Sequence, residues 1–222
     1  MEIIFDSPDF VVVDKESGQL SIPGRLNELD TRVCLLTELE KKFGQKIFVV
    51  HRLDCEVSGL IMYAKNAKTH RELNDLFQNH QITKKYEALT QIDESVSYDK
   101  DNKNAKKIFF SNMLVKGKKR AFEAPYGKLA ETSATLEVIT LKNVEDKIGL
   151  WKLQPKSGRF HQLRFQLYNY GCPILNDSLY NSTFKAKEGG GIALRSVSLE
   201  FDNYKFTSNK GILEYYRKFC EN

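Results

Sequence analysis

The sequence is poor in the residues that cross-link chains or hold metals. Its 222 residues include four cysteines (Cys34, Cys55, Cys172, Cys220) and four histidines (His51, His70, His80, His161). No two cysteines form a C-x-x-C pair, which argues against a thiolate zinc site or a redox motif. No H-E-x-x-H or H-x-x-x-H pair occurs, so no metal is expected. Long apolar runs are missing too. "FVVV" and "IFVV" fall far short of the roughly 20 residues that span a bilayer. Charges appear from Glu2 and Asp6 onward, so no signal peptide is expected. The expectation is a soluble, cytoplasmic chain with free thiols and no membrane partner. A Walker loop and a G-x-G-x-x-G turn are both absent, so no nucleotide cofactor is expected. "VSGL" lacks the first glycine of a serine-hydrolase elbow.

What is present suits a folded domain with a polyanionic partner. Hydrophobic residues make up 41% of the chain, enough for a sizeable core. No internal repeat and no linker stands out, so one compact domain over 1–222 is the simpler reading, with a monomer as default. The 34 Lys and Arg against 29 Asp and Glu leave a net charge of +5, which permits nucleic acid without requiring it. Residues 103–128 hold eight Lys or Arg and a single acid, Glu123, interleaved with Phe109, Phe110, Phe122 and Tyr126. Basic residues mixed with aromatics suit a surface that tracks a nucleic-acid backbone. The competing reading is a solvated strand pair whose aromatics face the core.

Periodicity predicts two short strands in residues 2–15, joined at Ser7-Pro8-Asp9. A helix over 31–43 is expected, with Val33, Leu36, Leu39 and Phe43 on one face, Asp30 or Thr31 as cap and Gly44 as stop. A second helix near 67–80 has Thr69 and Glu72 as a capping box and Leu73, Leu76 and Phe77 as its stripe. "TKKYEALTQI" reads as a strand, 93–104 as a polar loop, and 106–140 as several strands. "IGLWKLQP" is a strand that turns at 155–158 into a helix through residue 170, capped by Ser157 and ended by Gly171. A Gly-rich turn and a strand follow, then a closing helix capped by Ser208. Strands outnumber helices without alternating one for one. That points to α+β with a mixed, mostly antiparallel sheet flanked by helices.

Two places concentrate reactive side chains. "HRLDCEVSGL" puts His51, Arg52 and Asp54 at the end of an apolar strand. If that strand continues, Arg52 shares a face with Asp54. In the helix at 158–170, Phe160, Leu163, Leu167 and Tyr170 form the buried stripe, and His161 and Arg164 lie together beside it. Arg159 and Gln162 occupy its first turn, where anions are favoured. The competing reading is a set of surface charges with snorkelling stems. A carboxylate paired with arginine stays ionised in a pocket. Such a carboxylate is a competent nucleophile or base. A lone buried Asp and Arg pair is more often structural, and a satisfied turn histidine is the favoured reading of His51. The residues alone stop at a basic α+β domain with an Asp, Arg and Tyr pocket.

A resemblance carries the reading further. "HRLDCEVSGLIMYAKN" resembles the H-R-L-D-x-x-T-S-G-L-x-x-x-A-K segment of RluA-type RNA pseudouridine synthases. "DFVVVDKESGQLSIPG" is similar to that family's opening motif, "ITKKYEAL" to its K-x-Y-x-A strand and "GKLAETSATLEV" to its G-K-x-A-x-T strand. "SGRFHQLRFQLYNYGCPILNDSLY" resembles G-R-x-H-Q-[IL]-R-x-H followed by G-x-P-[IL]-x-G-D-x-x-Y. "GIALRSVSLEF" resembles its A-L-H-A strand. The matches keep the family's order and cover nearly the whole chain. Three departures occur: Val57 for the usual Thr, "KESG" for K-P-x-G, and "LRS" in place of A-L-H.

The resemblance implies the pseudouridine synthase fold and a cofactor-free isomerisation. The N1–C1′ bond of a uridine in transfer or ribosomal RNA breaks, the uracil rotates, and the bond reforms at C5. Asp54 would be the catalytic carboxylate. Tyr86 would stack on the flipped uracil, Arg164 would pair with Asp54, and Leu194 would pack against tyrosine and base. Arg52 is the candidate to enter the space vacated by the flipped base. Arg159, His161 and Gln162, with His51, are candidate substrate contacts. No S4-type RNA-binding domain is expected before the opening motif. Lys116, Lys118, Lys119 and Arg120 then become candidates for the RNA grip. The reading from another class is a catalytically silent RNA-binding protein on the same scaffold.

Overall fold

The computed structural model describes residues 1–24, 31–92, 96, 105–139, 147–185 and 191–220. In chain order its elements are β1 (Glu2–Asp6), β2 (Phe10–Lys15), α1 (Leu35–Phe43), β3 (Phe48–Val49), β4 (Ser58–Ala64), α2 (Ala67–Gln78), β5 (Thr83–Gln91), β6 (Lys106–Lys116), β7 (Ala121–Glu123), β8 (Lys128–Ile139), β9 (Ile148–Pro155), α3 (Gln162–Asn169), a 3-10 turn (Ser178–Tyr180), β10 (Leu194–Phe201), β11 (Tyr204–Thr207) and α4 (Ile212–Cys220). The fold is α+β with a mixed, mostly antiparallel sheet, as expected. No helix among the described residues is long and apolar enough to cross a membrane.

The chain divides into two compact units, Met1–Thr83 with Arg195–Asn209 and Lys84–Leu194 with Lys210–Asn222. In the first, β2 pairs antiparallel with β1 and β4, and β3 with β4. β10 runs parallel to β4 and antiparallel to β11. β2 and β4 are buried along their whole lengths. A strand covered on both faces needs an unbroken apolar run, which "VVV" and "LIMYA" supply. Phe10, Val12, Leu60, Met62, Leu73 and Leu199 are part of the core beneath α2. In the second unit β5, β9, β8, β6 and β7 pair in that order, all antiparallel. Leu114, Ala121, Ala130, Phe165 and Tyr180 form a core cluster there.

Several boundaries differ from expectation. α1 begins at Leu35 with Cys34 at its N-cap, and its buried residues are Leu35 and Leu39, while Val33 is 46% exposed. Leu20 pairs its backbone with Val33 and Leu35, which holds that stretch extended until Leu35. Asp30 lies outside the described residues, as does the polar loop of 93–104 apart from Val96. Asn66, not a box built on Thr69, caps α2 by accepting the Thr69 N–H at 2.9 Å. Thr69 instead donates its hydroxyl to Asp9. Ser208 does not cap α4. Its hydroxyl joins the buried ion pair of Asp14 and Arg195, and Glu87 accepts the Ile212 N–H at 2.9 Å. β11 went unexpected because four residues after a turn carry too short a pattern.

Candidate active site

In the first unit the backbone leaves β3 after Val49 and re-enters β4 at Ser58, so the strand does not run on through Asp54. The period-two argument that put Arg52 and Asp54 on one face therefore lapses. A loop replaces it, and its backbone is bonded on both sides of Asp54. Upstream, Leu53 donates its N–H to Ser21 Oγ and accepts the Ser21 hydroxyl at 2.8 Å. Downstream, the Val57 N–H closes a turn on the Asp54 carbonyl at 3.1 Å. Gly18 N–H and the Ser17 hydroxyl reach the carbonyls of Cys55 and Glu56 at 2.9 and 2.8 Å. His51 Nε2 accepts the Met62 N–H at 3.0 Å, and its ring rests on Phe77. Asp54 is half-buried and Arg52 exposed. The loop thus presents a carboxylate on a backbone that has little freedom to move.

Lys15 is the support that sequence reasoning missed. It is fully buried at the end of β2. Its ammonium donates to the carbonyls of Val57, Cys55 and Glu16 at 2.6, 2.9 and 3.1 Å. Burial lowers its pKa from 10.5 to about 8, an effect that Cys55, Glu56, Asp54 and Glu16 partly offset. The signal was the lysine of the opening motif.

The three departures gain physical accounts. Val57 acts through its backbone, and its side chain is buried and apolar. Glu16 keeps an N–H that donates to Gln19 at 3.0 Å, a bond proline has no hydrogen to make. Arg195, where the family has His, pairs with Asp14 inside the first unit.

In the second unit Tyr86 lies half-buried on β5 opposite Leu153 of β9, and Leu194 is buried at the start of β10. α3 begins at Gln162, later than expected, because His161 takes a left-handed backbone with φ 51°. That conformation costs a non-glycine residue roughly 1–2 kcal/mol. Side-chain bonds hold it. Arg164 Nη1 lies 3.3 Å from His161 Nε2, and His161 Nδ1 lies 3.2 Å from the Tyr180 hydroxyl. A guanidinium only donates, so Nε2 accepts and Nδ1 carries the proton.

Arg164 is 3% exposed and meets Asp177 in a two-bonded pair, Nε to Oδ2 at 2.7 Å and Nη2 to Oδ1 at 2.8 Å. Asp177 was also missed, and its signal was the Asp of the G-D-x-x-Y motif. Gln162 is buried with its amide engaged. It accepts from the Ser157 hydroxyl and the Arg159 N–H, and donates to the Glu131 carbonyl and Thr132 Oγ1. Those bonds make it a support of the helix start. Ser157 serves the same amide and is not the N-cap. Lys84, another motif residue without an assigned role, donates to the Ser157 carbonyl at 3.2 Å, and burial lowers its pKa.

Lys116 ends β6, and Lys118, Lys119 and Arg120 form the exposed turn into β7. Arg159 is exposed and donates from Nε to the Leu129 carbonyl. Among the described residues, no group of three His, Cys, Asp or Glu is arranged to hold a metal.

Comparison with known proteins finds similar chains. Residues 9–169 match the family model described as RNA pseudouridylate synthase. The chain is 31% identical to the ribosomal large subunit pseudouridine synthase D of Borreliella burgdorferi, over 98% of this chain and 66% of that protein. It is 30% identical to the tRNA pseudouridine synthase C of Vibrio cholerae, over 81% of this chain and 74% of that one. The solved structure of human RNA pseudouridylate synthase domain containing 4 aligns with a TM-score of 0.70 at 20% identity, covering 99% of this chain and 93% of that chain.

Proposed function

The chain belongs to the RNA pseudouridylate synthase family, and from that premise we propose that it isomerises one uridine of a transfer or ribosomal RNA, with Asp54 as its catalytic carboxylate. Relatives named for ribosomal and for transfer RNA both align with it, which supports that substrate class. The single observation that carries the assignment of Asp54 is its loop. Lys15, Ser17, Gly18 and Ser21 bond the backbone beside it, so the carboxylate is pre-positioned.

The reaction conserves mass. The N1–C1′ bond breaks, the uracil turns, C5 bonds to C1′, the C5 proton leaves and N1 gains one. Asp54 assists the cleavage, as a nucleophile at the sugar or at the base. Tyr86 stacks on the flipped ring and assists loss of the C5 proton. Arg164, already fixed by Asp177, favours the ionised form of Asp54. Residues 1–222 are read as a single catalytic domain. Arg52 enters the gap left by the base, which offsets the few kcal/mol of unstacking. Cys34, Cys55 and Cys172 carry thiols, which suits a reducing cytoplasm.

Tritium release from RNA labelled at uracil C5 tests the reading. Wild-type protein is expected to release tritium and leave pseudouridine. Asp54→Asn is expected to bind the RNA and release none. A wild-type protein that binds but releases nothing would be a silent RNA binder. An abasic product would mark a glycosylase. Either result overturns the proposal.

A further inference from the structure

The β6, β7 and β8 hairpins carry a feature that the reaction does not use. A groove of about 270 Å³ opens in the second unit, lined in part by Leu114, Lys116, Tyr126, Lys128, Arg159 and Phe160. None of its lining residues is acidic, and three are cationic. Tyr126 stands 76% exposed at its edge. The neighbouring Phe109 and Phe122 are also exposed, at 53% and 42%, whereas Phe110 is buried. The reading of this segment as strands whose aromatics all face the core therefore does not hold.

The local structure shows how the ring is displayed. Tyr126 occupies the tight turn between β7 and β8, closed by the Gly127 N–H on the Ala124 carbonyl at 2.8 Å. The turn lies flat on β6, where a Cβ on Gly127 would meet the Met113 backbone at 2.5 Å. Glycine permits that approach, and Tyr126 is held facing outward beside it. Phe160 has His161 stacked on it at 3.8 Å and Lys116 Nζ 5.1 Å from its ring centre. It therefore steers a cation into the groove and offers little free face. Tyr126 supplies the open face, and Lys116, Lys128 and Arg159 supply the positive charge.

We propose that this groove binds one unpaired nucleotide of the RNA, other than the reacting uridine, by stacking its base on Tyr126 and holding its phosphate with Lys116, Lys128 and Arg159. The chemistry selects this occupant. An open ring beside several cations and no acid matches a base attached to a phosphate. A paired base has both faces covered, so the occupant is unpaired. Asp54, Tyr86, Arg164 and Arg52 do not line the groove, so its occupant is held and not transformed. The proposal rests on the reading of the chain as an enzyme acting on RNA.

Three measurements on the full chain test it. Tyr126→Ala is expected to weaken binding of unmodified transfer or ribosomal RNA transcripts, and to raise KM, by about tenfold. Tyr126→Phe keeps the ring and is expected to match wild type. Lys116→Gln is expected to lower the salt slope of binding by about one. Trp151 is the one tryptophan of the sequence and is buried, so Tyr126→Trp adds an exposed reporter. Its fluorescence is expected to be quenched by a short single-stranded ribo-oligonucleotide and not by the same sequence as a duplex. Unchanged affinity in Tyr126→Ala, a defect as large in Tyr126→Phe, or equal quenching by duplex overturns the proposal. If wild-type protein makes pseudouridine while Tyr126→Ala binds normally, the groove assignment alone falls. If Tyr126→Ala weakens binding but wild-type protein makes no pseudouridine, the assigned reaction falls and the groove stands.

Discussion

Lys15 donates a 2.6 Å hydrogen bond from its buried ammonium to the carbonyl oxygen of Val57, 42 residues further along the chain. With its bonds to Cys55 and Glu16, this ties the end of β2 to the loop that carries Asp54. Lys15→Met leaves the Val57 carbonyl without that donor, at about 1–3 kcal/mol, while the Cys55 carbonyl keeps the Gly18 N–H. The expected result is a fall in Tm of about 5–10 °C together with a lower kcat. A variant with wild-type Tm and kcat would show that the loop holds itself.

The same lysine is expected to make activity depend on pH. Its pKa falls from 10.5 to about 8 on folding, so between those values the unfolded chain binds the extra proton. Stability from this group therefore rises with pH across that window, and the cost of burying the charge is fully present below it. The loop responds in the opposite sense, because a neutral amine has two N–H donors for three carbonyls. Wild-type kcat is expected to fall as pH passes about 8 without a matching fall in Tm. A kcat that stays flat to about pH 9.5 counts against this account of Lys15.

Arg164 and Asp177 form a pair that is 3% and 1% exposed. Removing one charge from such a pair costs about 3–5 kcal/mol. Asp177→Asn is therefore expected to lower Tm by about 10 °C. Pseudouridine formation should drop below what the loss of folded protein explains, because Arg164 loses its fixed orientation. Calorimetry beside tritium release separates the two effects.

Gly59 explains the glycine of "VSGL". Its φ is +103°, and a Cβ there would collide with the Ser196 carbonyl oxygen and lie 2.6 Å from the Ser196 nitrogen. β4 and β10 pair at this residue. Gly59→Ala is expected to yield little folded protein, seen as loss of the cooperative thermal transition. A normal melting curve would mean that the two strands separate at little cost.

Asn66 offers a control remote from the chemistry. Asn66→Ala removes the bond from the Thr69 N–H and costs about 1 kcal/mol. A fall in Tm of about 2–4 °C with unchanged kcat is expected. A large loss of activity would show that α2 has a role beyond packing.

The strands, the α+β class and the motif residues were legible because burial imposes period and composition along the chain. "LIMYA" is covered on both faces, and β8 alternates, with Ala130, Thr132, Ala134 and Leu136 buried and the residues between them less so. Helix starts were less legible. Ser157 and Ser208 have the side chains of caps, yet Ser157 donates to the Gln162 side chain five residues on, and Ser208 to Asp14 at the other end of the chain. His161 adopts a left-handed backbone that is uncommon for any residue but glycine. Its reason lies in Arg164 and Tyr180.

By itself the sequence determined which residue types were available. It supplied one Asp within a His-Arg-x-Asp cluster, a tyrosine strand, an arginine helix and a basic hairpin rich in aromatics. It also determined the family, because ordered motifs across the chain are a one-dimensional signal. Only the tertiary structure decided what each side chain does. It placed Lys15 beneath the Asp54 loop, gave Arg164 its partner in Asp177, turned Gln162 inward and left Tyr126 facing out. The physical reason is that buried polar groups must be paired. Their partners are chosen by proximity in space, which local sequence pattern does not encode.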